Sequence, residues 1–156
     1  MIVAIQTARK GSKSVVNKNI LNVNNKPLFL HSIDRANKST SIQSVYCSTD
    51  CNVIKSYSDK NNFSIIDRPD YLSGDSASHH DTMVHAILEV EKIENKKIDL
   101  IVFLLGNTIS AKPEWIDACI YKMIEDETVD SVQSVSKFNM FNPYRAYKIN
   151  SNDRLE

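Results

Sequence analysis

Short, β-branched apolar runs alternate along this chain with stretches of helical spacing, and that alternation leaves few architectures open. Residues 2–6 (IVAIQ), 43–48 (QSVYCS), 63–66 and 100–105 (LIVFLL) read as strands. Between them, Pro27 suits the first position of a helix running to about Lys38, with Phe29, Ile33 and Ala36 on one face. Asp50 is either the cap of a helix through about Lys60 or a site acid. Ser78-His79-His80-Asp81 resembles a capping box with Asp in place of Glu, and Met83, Ala86, Ile87 and Val90 form the stripe of the helix that follows. Pro113 opens a last helix carrying Ile116, Cys119, Ile120 and Met123 on one face. Residues 20–23 read as a short edge strand, and 131–136 and 144–149 are strand-like. The predicted fold class is α/β: a three-layer α/β/α, Rossmann-like domain with a mostly parallel sheet and 100–105 as its central strand. Ligands of such sheets bind beyond the carboxyl ends of the strands. That rule selects residues 7–19, 49–50, 67–78 and 106–112.

A chain of 156 residues suits one domain with a full core. Lys plus Arg equals Asp plus Glu at 19 each, which argues against a nucleic-acid binder or an anionic-membrane surface protein. No apolar run approaches the roughly 20 residues of a membrane helix. The opening Met1-Ile2-Val3-Ala4-Ile5 is too short and lacks the basic leader of a signal peptide. Three cysteines without a CxxC fit a reducing compartment, so a cytoplasmic protein is expected.

Neutrality hides a local positive field. The first 33 residues hold Arg9, Lys10, Lys13, Lys18 and Lys26 and no acid. The loop after the first strand mixes cations, hydroxyls and Gly11. Phosphate recognition uses that mixture, cationic donors together with backbone N–H groups that can face an anion, though a solvated basic loop has the same composition. The loop contains neither GxxxxGK[ST] nor GxGxxG. His79, His80, Asp81 and His85 read as polar residues at a helix start near a substrate rim rather than as a metal site. Cys47 is expected in the core and Trp115 as a packing residue.

Ala8-Arg9-x-x-Ser12-Lys13-x-x-x-x-Lys18-Asn19 resembles the ARxxSKxxxxKN signature of the CMP-sialic acid synthetase (acylneuraminate cytidylyltransferase) family. Four further blocks agree in order: Asn25-Lys26-Pro27-Leu28 with NGKPL, residues 45–50 (VYCSTD) with VIVSTD, residues 68–78 (RPDYLSGDSAS) with RPxxLAxDxAS, and residues 130–135 (DSVQSV) with DSVVSV. The resemblance implies a nucleotidyltransferase that moves CMP from CTP to a sialic-acid-like keto-sugar acid and releases pyrophosphate. Arg9 and Lys18 then grip the phosphates as the catalytic cations. Ser12 and Asn19 donate hydrogen bonds to phosphate or ribose, and Arg68 and His79 approach the base. Magnesium is the implied cofactor, CTP and a keto-sugar acid the partners.

The same resemblance marks departures. The family's LLQPTSPLR stands here as LLGNTISAK, so its base-reading glutamine falls on Gly106, followed by Asn107 and Thr108. A family serine near the base falls on His79. The family's acidic pair for magnesium and its dimer contacts have no counterpart in residues 1–156, read as a single cytidylyltransferase-like domain. Metal ligands are therefore unassigned and a family-type homodimer is not expected. A truncated or degenerate member is the favoured expectation. Alternatives are a non-catalytic nucleotide-binding homologue and a nucleotidyltransferase acting on another acid or phosphonate.

Overall fold

The computed structural model describes residues 1–12, 15–135 and 149–155. Its central feature is a four-stranded, wholly parallel sheet ordered β5-β4-β1-β6, made of β1 (Ile2–Thr7), β4 (Ser44–Thr49), β5 (Ser64–Asp67) and β6 (Leu100–Leu105). A second sheet is a small hairpin of β2 (Asn22–Val23) and β3 (Lys26–Pro27). Its turn residues Asn24 and Asn25 have φ of 50° and 62°, the left-handed pair that matches a hairpin's twist.

Side chains alternate across the parallel strands and divide the core into two faces. Ala4, Val45, Cys47 and Leu104 join Phe29, Leu30 and Ile33 of α1 (Leu28–Ala36) and Ile116 and Ile120 of α4 (Pro113–Glu125). Phe29 centres this layer, edge-on to Tyr57 at 5.8 Å and to Phe63 at 6.1 Å. Val3, Ile5, Tyr46 and Ile66 face the other way, against Ala86 and Val90 of α3 (His79–Glu94). The three-layer expectation is met.

Helix starts follow the sequence signals where a side chain or ring supplies them. Ser78 accepts the Asp81 N–H as N-cap of α3, and Pro113 occupies the first turn of α4. Asn95 closes α3 in the left-handed region at φ 48°.

Several expectations are corrected. The strand 100–105 is not central: among the described residues β6 is an edge strand, and β1 lies inside the sheet with Val3, Ala4 and Ile5 fully buried. Phe103 and Leu105 remain 38% and 49% exposed. An apolar run reports on cover above and below a sheet, not on its place within it. The helix expected through Lys60 is only α2 (Asn52–Lys55). Ser56 and Ser58 hydroxyls donate to the Val53 and Lys55 carbonyls and turn the chain instead. Asp50 caps nothing; the helix begins from Cys51 with no side-chain cap, while Thr49 Oγ1 accepts the Cys51 N–H. Residues 131–135 carry no regular structure, and 136 and 144–148 lie outside the described residues. Trp115 is 47% exposed, with the Lys112 ammonium 5.3 Å from its ring centre.

Candidate active site

The chain runs from β1 outward to β4 and β5, then returns to the far side of β1 to form β6. The connections thus reverse direction between β1 and β6, the position where open parallel sheets hold ligands. All four loops selected from the sequence emerge at this end of the sheet.

The first loop is tied down at several points. The Ala8 N–H donates to the Ser48 carbonyl at 3.1 Å, and the Lys10 N–H donates to Asp50 Oδ1 at 2.6 Å. Asn19 Nδ2 donates to the Arg9 carbonyl at 3.1 Å, which closes the loop on itself. Gly11 sits at φ 77°, a conformation that costs glycine nothing. Lys18 and Asn19 lie half-buried in a 3₁₀ turn, Lys18–Ile20.

Arg9 reaches out of this loop to the segment after β5. Its Nη1 donates to the Ser73 carbonyl at 3.2 Å and its Nη2 to Asp75 Oδ1 at 2.5 Å. Arg68 turns inward and is 8% exposed. Its Nη2 donates to the Ser48 carbonyl at 2.6 Å and its Nε to the Ser48 hydroxyl at 3.2 Å. Burial pulls the Arg68 pKa below its ordinary value, and the Asp50 carboxylate opposes that shift.

On the β6 side, His79 Nε2 lies 3.3 Å from Thr7 Oγ1, and its ring packs edge-on to Phe103 at 4.9 Å. Gly106 is buried. A Cβ there would stand 3.3 Å from Asn19 Oδ1, 3.5 Å from the Thr7 carbonyl oxygen and 3.7 Å from Gln6 Nε2. The glycine therefore lets the β6 loop approach the first loop. Thr108 closes the turn by donating its N–H to the Leu105 carbonyl at 3.1 Å, and Asn107 is exposed at its tip.

The structure thus gathers Arg9, Asn19, Arg68, His79 and Gly106 around the end of β1, with Lys18 and Ser12 on the same loop and Asn107 and Thr108 on the opposite turn. The crevice beside Arg9, Gly11, Asn17 and Asn19 is narrow, about 10 Å³. A larger concavity of about 340 Å³ lies elsewhere, lined by Tyr46, Asp59, Asn62 and Glu94, away from every one of these loops.

Sequence reasoning gave no role to three residues here. Asp75, present in the RPxxLAxDxAS block, holds Arg9. Gln6, the polar residue in an apolar strand, is fully buried and donates to the Phe29 carbonyl at 2.9 Å and the Ser32 hydroxyl at 2.5 Å. Its type within IVAIQT was the available signal. Thr7 carries the strand end onto His79.

Among the described residues no three His, Cys, Asp or Glu side chains converge on a protein-built magnesium site. Of the acids in these loops, Asp50 accepts the Lys10 N–H, Asp75 pairs with Arg9 and Asp67 pairs with Lys55.

A sheet of this order with a cationic loop at its reversal point defines a nucleotidyltransferase-like fold. It superposes on a CMP:2-keto-3-deoxy-manno-octonic acid synthetase complexed with CTP, with a TM-score of 0.67, 22% identity and cover of 82% of this chain and 49% of that one. A 4-diphosphocytidyl-2C-methyl-D-erythritol synthase shares the fold at a TM-score of 0.59 and 8% identity, over 78% of this chain and 53% of that one. The family model described as cytidylyltransferase matches residues 3–155, and the chain belongs to that family.

Among curated relatives, a Helicobacter pylori protein named pseudaminic acid cytidylyltransferase and UDP-2,4-diacetamido-2,4,6-trideoxy-beta-L-altropyranose hydrolase is 28% identical over 152 residues, 94% of this chain and 28% of that protein. An Escherichia coli N-acylneuraminate cytidylyltransferase is 34% identical over 86 residues, 55% of this chain and 20% of that protein. The chain therefore spans under a third of the length of these curated relatives and about half of the solved structure that holds CTP. Among the described residues no helix is long and apolar enough to cross a membrane.

Proposed function

We propose that this chain binds CTP at the carboxyl ends of β1 and β6 and transfers CMP from it to a nonulosonic, sialic-acid-like keto-sugar acid. In this reading the anomeric 2-hydroxyl oxygen of the acceptor bonds to the α-phosphorus, the bond from that phosphorus to the pyrophosphate oxygen breaks, and the hydroxyl proton leaves to solvent.

The observation that carries the reading is the convergence of the Arg9–Asn19 loop and Gly106 at the point where strand order reverses. Arg9 and Lys18 supply fixed positive charge where negative charge grows on the departing pyrophosphate, which favours the transition state over the ground state. Ser12 and Asn19 supply hydrogen bonds to phosphate or ribose. Arg68 underpins the strand ends from below by its grip on Ser48, next to the base position. His79 and the turn of Gly106, Asn107 and Thr108 form the base-side wall.

Magnesium would enter with the triphosphate rather than on a site of the described residues.

The test is pyrophosphate release from CTP and magnesium with a panel of keto-sugar acids. Release that depends on both CTP and acceptor supports the reading. CTP binding without release with any acceptor points to a non-catalytic nucleotide-binding homologue.

A further inference from the structure

Arg9 does not stand alone in its loop. Its guanidinium spans from the end of β1 past the end of β4 to the segment after β5, where the Ser73 carbonyl and the Asp75 carboxylate take one nitrogen each. That segment is itself braced. The Ser73 N–H donates to the Asp70 carbonyl at 3.0 Å, the Ser73 hydroxyl to the Pro69 carbonyl at 3.1 Å, and the Ala77 N–H to the Gly74 carbonyl at 3.2 Å. Its root is fixed where the Arg68 N–H donates to the Thr49 carbonyl at 3.1 Å.

An arginine has five N–H donors in a rigid plane, so two acceptors on one side fix that plane and leave three donors for another anion. The Arg9 and Asp75 side chains are 31% and 43% exposed. An ion pair this exposed adds little to stability. What it does set is the direction in which a long, otherwise mobile cation points.

We propose that Asp75 is a positioning residue for the triphosphate site: with the Ser73 carbonyl it holds the Arg9 guanidinium in the plane that a phosphate then engages. The assignment rests on the CTP-binding reading above. Pre-fixing the cation lowers the ordering cost at the moment of binding, which outweighs the repulsion a screened carboxylate exerts on the phosphates.

The test is a double-mutant cycle on CTP affinity, measured by calorimetry with the full chain. Asp75→Ala should weaken CTP binding about tenfold in the wild-type background and less than twofold in the Arg9→Ala background, while Asp75→Glu recovers most of the loss. Thermal midpoints of all variants should stay close together. Tighter CTP binding by Asp75→Ala would show the carboxylate to be a competitor and overturn the assignment. The same loss with and without Arg9, or unchanged affinity in Asp75→Ala, also overturns it. A wild-type chain that binds no CTP overturns the functional reading itself, and the assignment with it.

Discussion

Asp50 and Lys10 meet across 40 positions of sequence: the Asp50 carboxylate accepts the Lys10 backbone N–H at 2.6 Å. One carboxylate at the end of β4 thereby pins the middle of the cationic loop that follows β1. A charged acceptor gives a hydrogen bond of about 1.5–3 kcal/mol. Asp50→Ala should lower stability by that order and weaken CTP binding about fivefold, through a looser loop. Asp50→Asn keeps an oxygen acceptor and should lose less than half as much. Calorimetric titration of the two variants checks this; equal losses would contradict the role of the carbonyl-type oxygen.

Gly106 offers a steric test. A methyl group there stands 3.3 Å from Asn19 Oδ1, so Gly106→Ala must push Asn19, whose amide also holds the Arg9 carbonyl. Gly106→Ala should destabilise by roughly 0.5–1.5 kcal/mol, since the displaced contact is with a side chain that can yield. Gly106→Gln should separate the two loops further. Thermal unfolding ranks the two variants. A Gly106→Gln chain as stable as wild type would show that the loops are not packed as described.

The buried thiol makes a chemical prediction. Burial pushes the Cys47 pKa up to about 12, with Arg68 pulling it down and Cys51 pushing it further up. Its thiolate is therefore scarce near neutral pH. Cys119, half-buried on α4, should react first with a water-soluble thiol reagent. Cys47 should label only when the chain unfolds. Mass spectrometry of partially labelled protein decides it, and early labelling of Cys47 would contradict the core placement.

Acid sensitivity is carried in part by Asp117. Burial disfavours its charged form, but hydrogen bonds from Ser39, the Thr40 N–H, Ser41 and the Thr40 hydroxyl outweigh that and hold its pKa below the ordinary value. A depressed carboxylate contributes its stability in full above the unfolded value of about 3.9 and loses it as pH falls through the lower folded value. Asp117→Asn should lower the melting temperature at pH 7 and flatten its fall below about pH 4. Asp117→Ala should cost about 1–3 kcal/mol at pH 7. Parallel melting curves against pH for wild type and Asp117→Asn would contradict this.

Much of the fold is legible in the sequence because its signals are local. The β-branched opening strand, Pro113 and the Ser78 cap each act on their own neighbours, and each is found where its chemistry puts it. What escapes is tertiary. Nothing in LIVFLL states whether a strand has one neighbour or two, and β6 proves to be an edge among the described residues. Asp50 has the right type and place for a helix cap, yet the Lys10 N–H claims it. The cationic loop was visible as composition. Asp75 stands in the RPxxLAxDxAS block, but its pairing with Arg9 was not visible, because the partners are 66 positions apart.

The turn after β1 is proposed to hold the triphosphate of CTP. The most direct test titrates CTP, with magnesium, into the wild-type chain and into Arg9→Ala, Lys18→Ala and Lys38→Ala. Each of the first two substitutions should weaken binding by about tenfold, and Lys38→Ala, away from the proposed site, should stay within about twofold. Equal effects from all three substitutions would contradict the account.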